Sequence, residues 1–278
     1  MPFHDGMTYA FVLDAVLAVA ALHKAYSEPQ HSKKYVSACL YYQNQCLTAY
    51  QKQLTNINED NCNAMFAVSA LIHVLNGAMS RGGPYLPPTP PIETLLSQLK
   101  LGFGIKTVLD ATWDTVRVAH YKEILIRPEP STPPDATNSP EVAYAMDELQ
   151  RCVADTAMAD AATRDVYATS VASLDDVFRQ VEQDDDLDAI AIWPILLNEK
   201  VTELLEKRDP LMMLICIHYG VLCLHLHDRW WAHNFGCRLI WDLSEMLHAL
   251  DASWLPLTSW ARSKAASVRA ASAQVEVW

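Results

Sequence analysis

The stretch HYGVLCLHLHDRWWAHNFGCRLI, residues 218–240, gathers four histidines, two adjacent tryptophans and an Asp-Arg pair within one apolar segment. Three kinds of chemistry can use such a set: metal ligation, proton transfer, and the wall of a pocket for an apolar molecule. Helical geometry weakens the first. Each residue advances about 100° around a helix, so His225 and His227 point to nearly opposite sides and cannot ligate one metal through a common face. His218 and His225 do share a face, but a two-turn spacing is long for joint coordination, and no H-E-x-x-H pattern accompanies them. No metal is expected.

Proton transfer is harder to set aside. His227, Asp228 and Arg229 form a polar break between two apolar helices, where titratable side chains can face a cavity mouth. The same residues have structural uses, with Asp228 placed to cap a helix starting at Trp230 and Arg229 placed to pair with it. The chain contains no nucleophile elbow and no glycine-rich phosphate loop, which disfavours a hydrolase or a nucleotide-dependent enzyme, and no cofactor is expected. Trp231, Phe235 and Leu239 fall on one helical stripe, and Gly236 is expected to leave a gap beside Phe235. An aromatic wall next to missing side-chain volume suits a flat apolar ligand; core packing accounts for the same pattern without one.

These residues need elements to hold them. About half of the 278 residues are apolar, glycine is scarce and β-branched runs are few, which predicts an all-α chain with a sizeable core. The expected architecture is a single helical domain over 1–278, of about nine to eleven helices, with an internal hydrophobic pocket. Apolar spacing predicts helices over 7–27 and 31–54, the second with Tyr35, Leu40 and Leu47 near its packed face. A third follows NINED, where Asn58 can cap free N–H groups. The run RGGPYLPPTPP, 81–91, must be a stiff loop, and 127–140 reads as a surface linker. A helix lies between them, two more occupy 141–182, and EQDDDLD, 182–188, is a solvated acidic turn. Asp209-Pro210, a cap followed by a first-turn proline, opens a long apolar helix. Helices over about 230–250 and 260–275 complete the chain.

A net charge of −12, with no basic block or stripe, is the wrong sign for holding phosphates, so no direct nucleic-acid binding is expected. The seven cysteines contain no C-x-x-C and read as reduced core residues. Leu211–Leu226 falls short of the ~20 residues a membrane span requires and carries His218 in its middle; a buried central helix fits it better, and no membrane insertion is expected. The first residues lack the order of a signal peptide, which points to the cytoplasm or nucleus.

Several stretches, in order and spacing, resemble the C-terminal regulatory domain of fungal binuclear zinc-cluster transcription factors, in particular the sterol uptake control protein group. They are FVLDAVLAVAALHKAY, YVSACLYYQNQCLTAYQKQL, INEDNCNAMFAVSALI, LKLGFGIKTVLDATWDTV, AIWPILLNEKVTELLEKRDPLMMLICIHYGVLCLHL and WWAHNFGCRLIWDLSEML. The resemblance implies a helical domain with a deep apolar pocket for a sterol-like molecule, and a homodimer formed through this domain. Carried onto this chain, it matches the glycine of the family's tryptophan-rich helix to Gly236. Pocket-wall positions would then fall among Phe66, Met79, Met213, Ile217, Trp231 and Phe235, with His218 beside them. Phe235 stands where the family has tryptophan, which implies a differently shaped wall. No six-cysteine cluster lies within these residues, so the chain as it stands is not expected to read DNA.

Two functions follow as expectations. One is a ligand-sensing domain holding a sterol, terpenoid or polyketide-like hydrophobe. The alternative is a cofactor-free enzyme of fungal secondary metabolism, a cyclase, isomerase or pericyclase, with His227, Asp228 and Arg229 as its acid/base and orienting groups. A fully packed interaction scaffold is the third reading, and it predicts no pocket.

Overall fold

The structure, a computed structural model, describes residues 9–83, 85–118, 137–156 and 160–275. Within them the chain is all-α, with eleven α-helices and only an isolated bridge, Gly83 to Leu86, of extended pairing. The helices group into two compact units, Met1–Pro90 with Lys100–Glu129, and Pro91–Leu99 with Pro130–Trp278.

The first unit is built on α1 (Ala10–Ser27), α2 (Ser32–Gln53) and α3 (Cys62–Ser80). Ala15, Ala18 and Ala25 on the buried face of α1 are small enough for its neighbours to approach closely, and α1 packs against both α2 and α3. The Tyr26 hydroxyl donates to the Ala78 carbonyl at 2.6 Å, and the Tyr50 and Ser69 hydroxyls share a 2.7 Å hydrogen bond inside this core. α2 is packed on one side, as its polarity predicts, but the buried stripe is Val36, Cys39, Cys46 and Tyr50 rather than Tyr35, Leu40 and Leu47. Leu40 faces outward with 43% of its surface exposed. The stripe follows cysteine and valine because they fit a close helix contact, whereas residue hydrophobicity alone favoured leucine. Asn58 caps the turn ahead of α3, its Oδ1 accepting from the N–H groups of Asp60 and Asn61.

The expected loop over 81–91 ends one residue sooner, since Pro91 opens the next helix. Gly82 has φ +78°, and a Cβ there would lie 2.7 Å from the Pro88 nitrogen, so glycine alone fits the turn. α4 (Pro91–Val118) follows; its residues 91–99 belong to the second unit and 100–118 to the first. The linker expected at 127–140 lies mostly outside the described residues. Two helices, Ala10–Ser27 and Cys62–Ser80, are long and apolar enough to cross a membrane. The bent pair Lys200–Glu206 and Pro210–Leu226, turning by 105°, passes the same test only if taken together.

The second unit continues with α5 (Pro140–Ala154), α6 (Ala161–Asp184), α7 (Asp188–Leu196), α8 (Lys200–Glu206), α9 (Pro210–Cys223), α10 (Phe235–Leu250) and α11 (Leu255–Val275). α9 is its axis. Asp209 Oδ1 accepts from the Met212 N–H at 2.9 Å with Pro210 in the first turn, the start that the sequence predicts. Every residue from Leu211 to Cys223 is buried, which is why the helix is apolar all round, and α6, α8, α10 and α11 all touch it. Tyr219 of α9 stacks on Trp193 of α7 with ring centroids 4.5 Å apart and donates its hydroxyl hydrogen to the Ile190 carbonyl at 3.0 Å.

Two glycines set the crossing of α9 and α10. A Cβ on Gly236 would lie 2.7 Å from the Gly220 carbonyl oxygen and 2.9 Å from the backbone of Cys223 and Leu224. The expectation of a gap beside Phe235 is thereby corrected. The volume that the missing side chain releases is filled by the backbone of the facing helix, so Gly236 marks a close approach and not a vacancy.

Candidate functional site

Residues 224–234 connect α9 to α10 through a short 3₁₀ turn, Leu224–Leu226, and a run of turns. Asn234 closes the run in the left-handed conformation at φ 60°, a geometry that asparagine tolerates better than most residues, and α10 begins only at Phe235. Two sequence expectations fall with that boundary. Trp231 is not on the helix that carries Phe235 and Leu239, so the predicted aromatic stripe is not continuous. Asp228 does not cap it: its side chain is 87% exposed, and its Oδ1 lies 2.9 Å from His227 Nε2. His227 is itself held by its carbonyl, which accepts from His233 Nδ1 at 2.9 Å. Arg229 is exposed.

The other predicted wall residues divide between the units. Phe66, buried, and Met79, half-buried, are on α3 of the first unit. Met213 and Ile217 on α9 have no exposed surface and serve the core of the second unit, while Trp231 and Phe235 are half-buried. His218 is buried too. Its Nδ1 donates to the Leu214 carbonyl at 2.9 Å, and its ring stacks on Trp260 with centroids 5.4 Å apart. Burial holds its pKa down to about 4, against the raising effect of the Leu214 hydrogen bond, so at neutral pH the ring is uncharged.

Trp260 leads to the site that sequence reasoning missed. Four helices of the second unit converge on a cleft of about 340 Å3 that opens to solvent. Val142 comes from α5, and Phe178, Val181 and Glu182 come from α6. Val221 and Leu224, with His225, come from the end of α9 and the turn after it. Trp260, Lys264, Ser267 and Val268 come from α11. The signal was present as W-x-x-x-K-x-x-S-V, where Trp260, Lys264, Ser267 and Val268 recur at helical spacing, but the alanines around them made the segment read as a plain tail.

The aromatic wall of the cleft is rigidly held. His218 stacks behind Trp260, Phe178 meets it at 6.0 Å between centroids, and the indole N–H donates to Glu141 Oε1 at 3.0 Å. The other Glu141 oxygen accepts from the Lys264 ammonium at 2.7 Å. Those bonds, that from Lys264 foremost, hold the Glu141 carboxyl below its ordinary range. Across the cleft, both Glu182 oxygens are engaged by Ser139, one by its backbone N–H and one by its hydroxyl, each at 2.7 Å. Because Ser139 is also the N-cap of α5, the Glu182 charge stands at the positive end of that helix. His225 sits between these groups. Burial lowers its pKa, Asp185 and Glu182 raise it, and Lys264 lowers it, with burial the largest effect.

Chemically, the cleft offers an apolar floor, an aromatic wall fixed by a carboxylate, and hydrogen-bond donors at the rim. Among the described residues no group of three metal-ligating side chains comes together. In comparisons with known proteins, no family model matches the chain and no curated sequence is significantly similar to it.

Proposed function

We propose that this chain is a ligand-binding regulatory domain of the transcription-factor type, and that a hydrophobic small molecule, sterol-like, terpenoid or polyketide-like, occupies the cleft between α5, α6, α9 and α11. The observation that carries this reading is the wall. Trp260 is held by Glu141, Phe178 and His218, and it stands over a floor made by Val221 and Leu224. A side chain held by its neighbours before the ligand arrives loses little freedom on binding, which removes one of the costs of association. The volume falls at the small end of the range of ligand pockets, about 300–1,000 Å3. Burial of roughly 100 Å2 of apolar ligand surface at ~25 cal/mol/Å2 contributes about 2.5 kcal/mol, which offsets part of the association cost.

The test is lipid extraction and native mass spectrometry of the purified protein, followed by tryptophan-fluorescence titration with sterol, terpenoid and polyketide panels. Trp260→Ala and the cleft-filling Val221→Phe should each weaken the best binder at least ~10-fold. A panel without binders, or binding untouched by both variants, overturns the proposal.

One observation favours the second reading, a cofactor-free biosynthetic enzyme. His227 Nε2 and Asp228 Oδ1 form a 2.9 Å pair, in which the carboxylate orients the imidazole for proton transfer. If that pair moves a proton, turnover of a cyclisable polyene or quinone-methide substrate slows at least ~10-fold in His227→Ala and Asp228→Asn. Equal rates in both variants remove it.

A further inference from the structure

Resting on the cleft reading above, we infer that the ligand is an electrically neutral ring compound carrying a carbonyl acceptor, such as a ketone, enone or quinone, and that Lys264 and His225 donate to that oxygen.

Two of the carboxylates at the rim, Glu141 and Glu182, are already served. Glu141 accepts from Trp260 and Lys264, at 3.0 and 2.7 Å, and Glu182 accepts twice from Ser139 at the start of α5. Lys264 has three N–H donors and gives one to Glu141, which leaves two for a ligand. The His225 ring has no hydrogen-bond partner among the described residues and, being an uncharged imidazole, has one N–H to give. A cleft with spare donors and engaged acceptors selects a molecule that brings an acceptor.

Charge then separates neutral acceptors from anionic ones. Around His225 stand Glu182 and Asp185, and Glu141 is bound to Lys264, so three carboxylates face one ammonium. A carboxylate ligand would add a fourth negative charge to that group, in a chain whose net charge is already −12. A carbonyl takes the same hydrogen bonds without that repulsion. A hydrocarbon fits the floor but leaves both donors without a ligand acceptor, and so loses the hydrogen-bond contribution.

Three flat tricyclic molecules of nearly one shape separate the cases: fluorene, fluorenone and 9-fluorenecarboxylate. Each is titrated into the full chain at pH 7.5 by tryptophan quenching, and again into Lys264→Met, which keeps the apolar stem and leaves Glu141 bound to Trp260. The ketone should bind tightest, with an affinity ratio over fluorene that falls about tenfold in Lys264→Met. Because the ratio is compared between proteins, the different water solubilities of the ligands cancel. If the carboxylate binds tightest, or the ketone-to-hydrocarbon ratio is the same in both proteins, the inference is overturned while the cleft remains a hydrophobe site. If none of the three binds, the cleft reading falls and the inference with it.

Discussion

Replacing Gly236 by alanine tests the packing from which the cleft floor hangs. The new Cβ would lie 2.7 Å from the Gly220 carbonyl oxygen and 2.9 Å from Cys223 C and Leu224 N. All three are backbone atoms, so no rotamer change relieves the overlap. Ordinary contact begins near 3.4 Å, so α9 and α10 must separate by about 0.7 Å at their crossing. Overpacking of this kind costs ~1–3 kcal/mol, against which alanine recovers at most ~1 kcal/mol of helix propensity. We expect Gly236→Ala to lose about 2 kcal/mol, which lowers the melting temperature by ~5 °C in a domain of this size. Gly220→Ala is the control. Its Cβ meets Ile240 Cγ1 at 2.7 Å, part of a buried β-branched side chain that must shift, while its nearest backbone contact, the Gly236 oxygen, is 3.4 Å off, so no backbone has to move apart. Its loss should be smaller than that of Gly236→Ala, because one side chain and not three backbone atoms must give way. Thermal unfolding followed by tryptophan fluorescence reports the second unit, which holds seven of the eight tryptophans. A Gly236→Ala protein that melts with or above the wild type, or above Gly220→Ala, would refute the close-approach reading.

Four further outcomes follow from the same coordinates. His218 has a folded-state pKa of about 4 and an unfolded value near 6.5, so the unfolded chain binds the proton first; stability is intact above pH 6.5 and falls between 6.5 and 4 by up to about 3 kcal/mol. Urea unfolding read by tryptophan fluorescence should show a shallower loss over that window in His218→Gln, and an unchanged slope would refute the assignment. His73 on α3, also held by burial to about 4, adds the same acid sensitivity to the first unit, which circular dichroism would detect and His73→Gln would reduce. Burial pushes the Cys39 thiol up to about 11 and Cys46 and Cys223 to about 12, while Cys152 is only partly buried, so iodoacetamide at pH 8 should alkylate Cys152 first and the buried thiols only on unfolding. Glu141→Gln should weaken binding of the best cleft ligand several-fold, roughly 1 kcal/mol, by loosening both Trp260 and Lys264; equal affinity by titration would show that the wall needs no anchor.

Helices were legible in the sequence where local chemistry decides them. Asp209-Pro210 opens α9 as expected, the apolar circumference of Leu211–Cys223 marks a central helix, and Gly82 with its prolines forces the loop before α4. The α9–α10 connection was not legible. The sequence places a helix from about residue 230, yet residues 227–234 run as turns and α10 begins only at Phe235, after the left-handed Asn234. That later start takes Trp231 off the helix of Phe235 and Leu239 and leaves Asp228 in solvent.

The cleft was illegible for a related reason. Its chemistry is assembled from four helices far apart in sequence: Glu141 reaches across 119 positions to Trp260 and 123 to Lys264, while Glu182 reaches back 43 positions to Ser139. No local window contains such a pair, so attention goes to segments dense in histidine and tryptophan, where neighbours in sequence look like neighbours in space. His218 links the two views. It was singled out as a wall residue, and the structure puts it one layer behind the wall, uncharged, with its ring against Trp260. The close Gly220–Gly236 crossing braces the end of α9 from one side, and Val221 and Leu224 next to it form the floor on the other. The residue read as an empty space is therefore what allows a neighbouring space to keep its shape, and a substitution that separates the helices there must disturb stability and the cleft floor together.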